Sequence, residues 1–112
     1  MIILGVDIGT TAMKMAVFQA EDDRLSSLAD FSEGYSIQTY NEGLFSDIDQ
    51  AKWKEAFSNG CRAMADHIAE IDVISLSGTT PGLTAMDSDG NALYPAILML
   101  DQRSRKQAQE II

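Results

Sequence analysis

Cysteine, histidine and basic side chains are scarce in this chain, and each shortage narrows what it can be. The 112 residues include one cysteine, Cys61, and one histidine, His67. A lone cysteine can form no disulfide framework within the chain and no cysteine-based metal site. Cys61 lies inside a helical pattern, where a small buried hydrophobe is its ordinary role. His67 has no second ligand three or four residues away, so an exposed or capping histidine is expected rather than a zinc ligand. Lys and Arg number 8 against 17 Asp and Glu, a net charge of −9. Such a surface repels phosphate backbones and anionic lipid, so neither nucleic acid nor a membrane is expected as a partner. No apolar run approaches the length of a membrane span, and the opening apolar run lacks the basic residues of a secretory leader. The cytoplasm is the expected location. Internal repeats and low-complexity tracts are absent as well.

What is present is a chain that can pack. Hydrophobic residues make up 46% of it, enough at this length for one domain with one core. The most informative stretch is residues 1–18, MIILGVDIGTTAMKMAVF. Ile2, Ile3, Leu4 and Val6 form the short apolar run of a buried strand. Asp7 stands where that strand should end, the favoured place for a ligand-facing group in an open α/β sheet. Gly9 permits a positive φ and a close backbone approach. Backbone N–H groups in such a turn can form an anion-binding concavity, to which the Thr10 and Thr11 hydroxyls add donors. A carboxylate beside a phosphate cradle fits a hydrated Mg²⁺ held between the two. The alternative is an ordinary Gly-Thr-Thr hairpin with an aspartate that turns the chain.

Further elements follow in order. Residues 13–18 read as a second strand and 19–24 as a hairpin turn. Residues 25–34 suit a strand or a poorly formed helix. Residues 35–40 alternate as a strand, 41–43 turn, and 44–48 read as a loop. The strongest helical pattern starts near residues 47–49, capped by Asp49 or by Ser46 with Asp49 at N3. Trp53, Phe57, Cys61, Met64, Ile68 and Ile71 make one apolar stripe along it, with Gly60 marking close packing on the sheet at a cost of about 1 kcal/mol. Residues 72–76 read as a short buried strand and 83–86 as a short strand. Residues 87–91 turn, and 92–94 with 96–98 form a hairpin. Ser104 caps a last helix running to Ile112. That helix ends without glycine, proline or a basic turn, and Ile111 and Ile112 would be left uncovered. The expected reading is one domain over residues 1–112, truncated at its C-terminal end.

Two strand–loop junctions stand out: Asp7 to Thr11, and Ser77 to Gly82. If the two preceding strands are parallel neighbours joined through the helix, both loops leave the same sheet edge. The first suits phosphate. The second, rich in hydroxyl groups at Ser77, Thr79 and Thr80, suits a polyol or sugar. Asp101 could accept from sugar hydroxyls and Arg103 orient that carboxylate, or the two could form a surface ion pair.

In this order, the blocks GVDIGTTAMKMAVF (residues 5–18) and ISLSGTTPGLTAMDSDGNALYPAILMLDQR (residues 74–103) resemble the N-terminal domain of the FGGY family of carbohydrate kinases. The first block is shared with hexokinases, actin-like ATPases and Hsp70-type chaperones; the second is more particular. The resemblance implies an α/β fold, an actin/ribonuclease H-like domain with a mixed β-sheet and flanking helices, which is the first lobe of a two-lobed sugar kinase. It implies ATP and Mg²⁺ as cofactors and a sugar, polyol or sugar acid as substrate, with a homo-oligomer possible. By the same resemblance Asp7 would organise Mg²⁺ through water, and Gly9, Thr10 and Thr11 would contact the β- and γ-phosphates. Lys14 matches a basic position near the phosphates, or is a solvated strand lysine. Gly78, Thr79, Thr80 and Pro81 fall on the sugar-contacting loop, and Asp101 and Arg103 at a site for sugar hydroxyls.

Departures are present too. Thr79-Thr80-Pro81 stands where many members carry Gln-Met-His, Met99 stands near a frequent tryptophan, and Gln19 follows Phe18 where an aspartate is usual. The identity of the sugar is therefore not implied. The family's catalytic base and adenosine pocket would lie downstream, so this chain alone is expected to be inactive. The rival expectations are an actin- or chaperone-type ATPase, whose turnover ignores sugar, and a non-catalytic sugar-binding relative, which binds sugar without phosphate transfer.

Overall fold

The computed structural model describes residues 1–79 and 82–112. Its elements in chain order are β1 (Ile2–Ile8), β2 (Ala12–Glu21), β3 (Arg24–Gly34), β4 (Gln38–Tyr40), β5 (Phe45–Ile48), α1 (Gln50–Ala63), α2 (Ala65–Ile68), β6 (Val73–Gly78), β7 (Ala96–Ile97) and α3 (Arg105–Ile111). They fall into two compact units, one made of Met1–Tyr35 and Ala51–Thr79, the other of residues 36–50 with the described part of 80–112.

The first unit is a four-stranded sheet in the order β3-β2-β1-β6. β1 and β6 are parallel, and the other pairs are antiparallel. A parallel neighbour requires a crossover, and the helical segment provides it. Side chains alternate across a strand, so Leu4, Val6, Met13, Met15 and Val17 share one face, where they are buried with Ala56 and Met64. Burying such side chains contributes roughly 1.5–3 kcal/mol each. Trp53, Phe57, Cys61 and Ile71 of the expected stripe pack partly buried against this core. The tightest approach is at Gly60, where an added Cβ would lie 2.3 Å from Met15 Sδ and 2.9 Å from Phe31 Cδ1. Close packing on the sheet is therefore the reason for that glycine.

Several local expectations need correction. The helix does not run unbroken: Met64 leaves helical geometry at φ −110°, ψ 27°, dividing it into α1 and the single turn α2. The strand expected to be buried, β6, is the edge of its sheet, and all six of its residues are exposed, Leu76 at 70%. The first hairpin turn is shorter than residues 19–24, because Asp22 and Asp23 both take positive φ (48° and 62°). That is the type I′ geometry that matches strand twist, so β2 and β3 extend to Glu21 and Arg24.

The second unit is a three-stranded antiparallel sheet, β4-β5-β7. Residues 45–48, read as a loop, are its central strand, and the strand 96–97 pairs with β5 rather than with 92–94. Only residues 38–40 of the expected strand 35–40 are in a ladder. The turn at Asn41, Glu42 and Gly43 carries three positive φ values (54°, 57° and 83°). Asp87 organises the turn 87–91 by accepting from the N–H groups of Asp89 and Asn91 at 2.9 and 2.8 Å. Ser46 does not cap α1: its Oγ is buried without a hydrogen-bond partner among the described residues. Ser104 occupies the N-cap position of α3, but its side chain makes no capping bond. No helix among the described residues is long and apolar enough to cross a membrane.

Candidate functional site

Asp7 is the penultimate residue of β1 and is exposed. The ladder places it opposite Lys14 of β2 and Ser77 of β6, and places Lys14 opposite Ser32 of β3. Directly opposed residues share a sheet face, so Ser32, Lys14, Asp7 and Ser77 form a polar row on the face away from the buried core. A cavity of about 610 Å³ opens on this face and is lined by all four, with Asp30 and Ser75 beside them. Among the described residues Asp7 and Lys14 make no ion pair, so both remain available to a ligand.

The turn between β1 and β2 is closed by the Gly9 N–H donating to Ala12 O at 2.9 Å. A Cβ on Gly9 would lie 2.7 Å from that carbonyl oxygen. Close approach, not positive φ, is therefore what demands glycine here; the described glycines with positive φ are Gly43 and Gly90. Tyr35, one residue beyond β3, braces the turn twice. Its N–H donates to Thr11 O at 2.9 Å, and its hydroxyl donates to Gly9 O. Burial raises the Tyr35 phenol above its ordinary range, and the negative charge of Asp7 adds to that. Sequence reading placed Tyr35 in an alternating strand and missed this role; the usable signal is an aromatic hydroxyl just past a strand that the hairpin returns to the turn.

The parallel pairing of β1 with β6 brings the second junction to the same edge of this unit. Thr79 N–H donates to Ile8 O at 2.8 Å, and the hydroxyls of Thr10 and Thr79 are 3.1 Å apart. Gly78 has open space where a Cβ would be. Thr80 and Pro81, also expected to contact substrate, lie outside the described residues.

In the second unit Asp101 and Arg103 are joined as the ion-pair alternative anticipated, and more completely. Asp101 accepts from Arg103 Nε at 2.8 and 2.9 Å, Arg103 Nη2 at 2.7 Å, and the N–H groups of Ser46 and Arg103 at 2.6 and 2.9 Å. Arg103 Nη2 also reaches Asp47 Oδ2 at 2.7 Å, and Nη1 donates to Tyr94 Oη at 2.9 Å. The guanidinium lies over the Phe45 ring at 4.6 Å. The Asp47 and Asp101 side chains are 1% and 2% exposed, and Arg103 14%. Arg103 holds the Asp101 carboxyl down to about 2, and the two carboxylates in turn raise the guanidinium. Tyr40 donates to Asp47 at 2.6 Å, which raises the phenol. The expectation that Asp101 accepts from a sugar meets a carboxylate already saturated by donors from its own chain. Asp47, read from sequence as a helix-start aspartate, is instead a buried partner of Arg103.

No group of three or more His, Cys, Asp or Glu that could hold a metal occurs among the described residues. One exposed carboxylate with hydroxyls beside it fits Mg²⁺, which keeps several waters and takes one or two carboxylates together with phosphate oxygens.

A parallel β1–β6 pair flanked by a β1–β2 hairpin, with a carboxylate and a glycine–hydroxyl turn at the shared edge, belongs to an α/β domain of the actin/ribonuclease H-like kind. Residues 2–112 match the model of the FGGY family of carbohydrate kinases, N-terminal domain, and the chain belongs to that family. It is 33% identical over 111 residues to a xylulose kinase from Staphylococcus xylosus, covering 97% of this chain and 22% of that protein. It is 27% identical to a xylulose kinase from Streptomyces coelicolor, covering 99% of this chain and 22% of the relative. Among solved structures it superposes on xylulose kinase from Rhodospirillum rubrum with a TM-score of 0.83 at 20% identity, over 99% of this chain and 23% of that one. Glycerol kinase from Plasmodium falciparum gives 0.81 at 18%, over 98% and 22%; at such identities these two show the fold. The chain thus spans about a fifth of the length of its relatives.

Proposed function

We propose that this chain is the first lobe of an ATP-dependent carbohydrate kinase and supplies its phosphate turn and part of its sugar site. The observation that carries the reading is Asp7 in a polar row with Lys14 and Ser77, at the edge where the Gly9–Thr11 turn meets Thr79. Phosphoryl transfer needs in-line positioning and neutralised charge more than covalent chemistry. The amides and hydroxyls of Thr10 and Thr11 would bind the β- and γ-phosphates, with Gly9 shaping the turn because its own N–H is committed to Ala12 O, and Lys14 would add a positive charge at the same face. Asp7 would hold Mg²⁺ through water; when bound, the ion supplies Lewis-acid polarisation of phosphate oxygens. Gly78 and Thr79, with Thr80 and Pro81, would border the sugar, and a base in a second lobe would take the hydroxyl proton. Asp101 and Arg103 would act by fixing β5 against residues 98–103 instead of touching the sugar, because their polar atoms are already engaged. The xylulose kinase relatives make a ketopentose the first substrate to try, and ATP use with a lone cysteine suits the cytoplasm.

The test is Mg²⁺-dependent nucleotide binding by the full polypeptide that carries this chain. Asp7→Ala should weaken Mg·ADP at least about tenfold, the scale of one charge-assisted contact, while ADP in EDTA binds as before. Equal loss with and without Mg²⁺, or no loss, would refute the role of Asp7.

A further inference from the structure

The hydroxyl pair Thr10–Thr79 joins the phosphate turn to the segment beyond β6, and its chemistry allows more than mechanical support. Both partners are held by their backbones. Thr79 N–H is fixed on Ile8 O at 2.8 Å, and the turn carrying Thr10 is closed by Gly9 on Ala12 and braced by Tyr35. Those bonds hold the two main-chain segments side by side, and the threonine Oγ atoms meet across them at 3.1 Å. A hydroxyl has one proton to donate and two lone pairs. In a threonine pair one proton lies in the bond, and the other points to whatever adjoins the pair. Which threonine donates is open in the unliganded pair.

We propose that Thr79 is a positioning residue whose hydrogen-bond polarity is set by phosphate at Thr10, so that nucleotide binding prepares this edge to accept a hydroxyl from the sugar. The inference rests on the kinase reading above. A phosphate oxygen is an acceptor and takes the Thr10 proton. Thr10 Oγ1 then serves the pair as acceptor, and Thr79 becomes its donor. With its proton committed, Thr79 Oγ1 presents lone pairs, which favours a ligand hydroxyl donating to it over a ligand acceptor such as a carbonyl. No proton changes owner; two rotors turn. The ligand selected is a polyol or sugar hydroxyl, and the consequence is reciprocal: sugar tightens nucleotide by the factor by which nucleotide tightens sugar.

The experiment uses the full polypeptide and a non-hydrolysable ATP analogue with Mg²⁺. The analogue's Kd is measured with and without a saturating sugar that the wild type turns over. The ratio of the two should fall about three- to tenfold, the range one neutral hydrogen bond supplies, in both Thr10→Val and Thr79→Val. The double variant should be no worse than either single one, and Thr79→Ser should keep the wild-type ratio. A Thr10→Val ratio equal to wild type, or losses that multiply in the double variant, would overturn the proposal and make Thr79 an independent contact. A second readout needs no sugar. Analogue binding should slow amide exchange at Thr79 in the wild type but not in Thr10→Val, and equal protection in both overturns the relay. A wild type without sugar-dependent turnover refutes the kinase reading, and the exchange measurement then decides the coupling alone.

Discussion

Replacing Arg103 by methionine keeps most of the apolar stem and removes the guanidinium from a cluster that depends on it. The change strips both Asp101 oxygens and Asp47 Oδ2 of their charged donors and leaves Tyr94 Oη without its partner. Asp47 and Asp101 are almost fully covered, and removing one partner of a buried pair costs about 3–5 kcal/mol. Three donors survive, the Tyr40 hydroxyl on Asp47 and the backbone N–H groups of Ser46 and residue 103 on Asp101. The covering layer is also thin, which places the cost at the lower end, about 3 kcal/mol at pH 7. The pH dependence has a definite sign. In the wild type Asp101 is held to about 2 by Arg103, so its stabilisation is complete above the ordinary 3.8 and is lost as pH falls through about 2. In the variant the Asp101 carboxyl loses the guanidinium that holds it down and titrates above its wild-type value. The deficit should therefore narrow as the pH falls towards about 2, where the wild type loses this stabilisation. Amide exchange at Ser46, Leu98 and Gln102, whose N–H groups are bonded within this unit, reads the local free energy directly. A deficit below about 1 kcal/mol at pH 7, or one that widens on acidification, refutes the reasoning.

Other perturbations have comparably direct outcomes. Gly9→Ala must open the turn, because its Cβ would meet Ala12 O at 2.7 Å and backbone cannot retreat cheaply; nucleotide titration should show at least about a tenfold loss, and unchanged affinity would mean that the turn is not the phosphate site. Gly60→Ala should destabilise by about 1–2 kcal/mol despite the better helix propensity of alanine, since overpacking costs roughly 1–3 kcal/mol. Pairing it with Met15→Ala should give less than the sum in urea unfolding, and strict additivity would refute the clash. Asp101→Asn should flatten the acid limb of the stability curve by removing about 2 kcal/mol that the wild type holds above pH 3.8 and loses towards pH 2; an unchanged acid limb would refute that assignment.

What could be read in advance follows the physics of local pattern. The apolar runs over residues 2–6 and 13–18 and the stripe from Trp53 to Met64 report burial locally, so β1, β2 and the helix were legible, whereas residues 25–34 suited strand or helix until pairing with β2 decided. The position of Asp7, Gly9 and Ser77 near strand ends was legible from the runs that precede them, and the parallel pairing, stated only as a condition, is met by β1 and β6. Residues 45–48 were not. Phe45, Ser46, Asp47 and Ile48 show no alternation, because Ser46 and Asp47 are polar residues buried by partners more than fifty positions away, Arg103 and Asp101. A strand stabilised by a distant ion pair leaves no local signature. β6 failed for the converse reason: Val73, Ile74 and Leu76 carry the composition of a buried strand at an exposed edge. Asp101 and Arg103 were found as a pair, but saturation of their polar atoms depends on Ser46, Asp47 and Tyr94, which spacing does not reveal.

The most direct test is ADP release by the full polypeptide with Mg²⁺ and ATP, across a panel of ketoses, polyols and sugar acids, with Asp7→Ala in parallel. Phosphoryl transfer to a sugar predicts release that one class of sugar stimulates and that Asp7→Ala abolishes. Release that is the same with and without every sugar, or that survives Asp7→Ala, would contradict it.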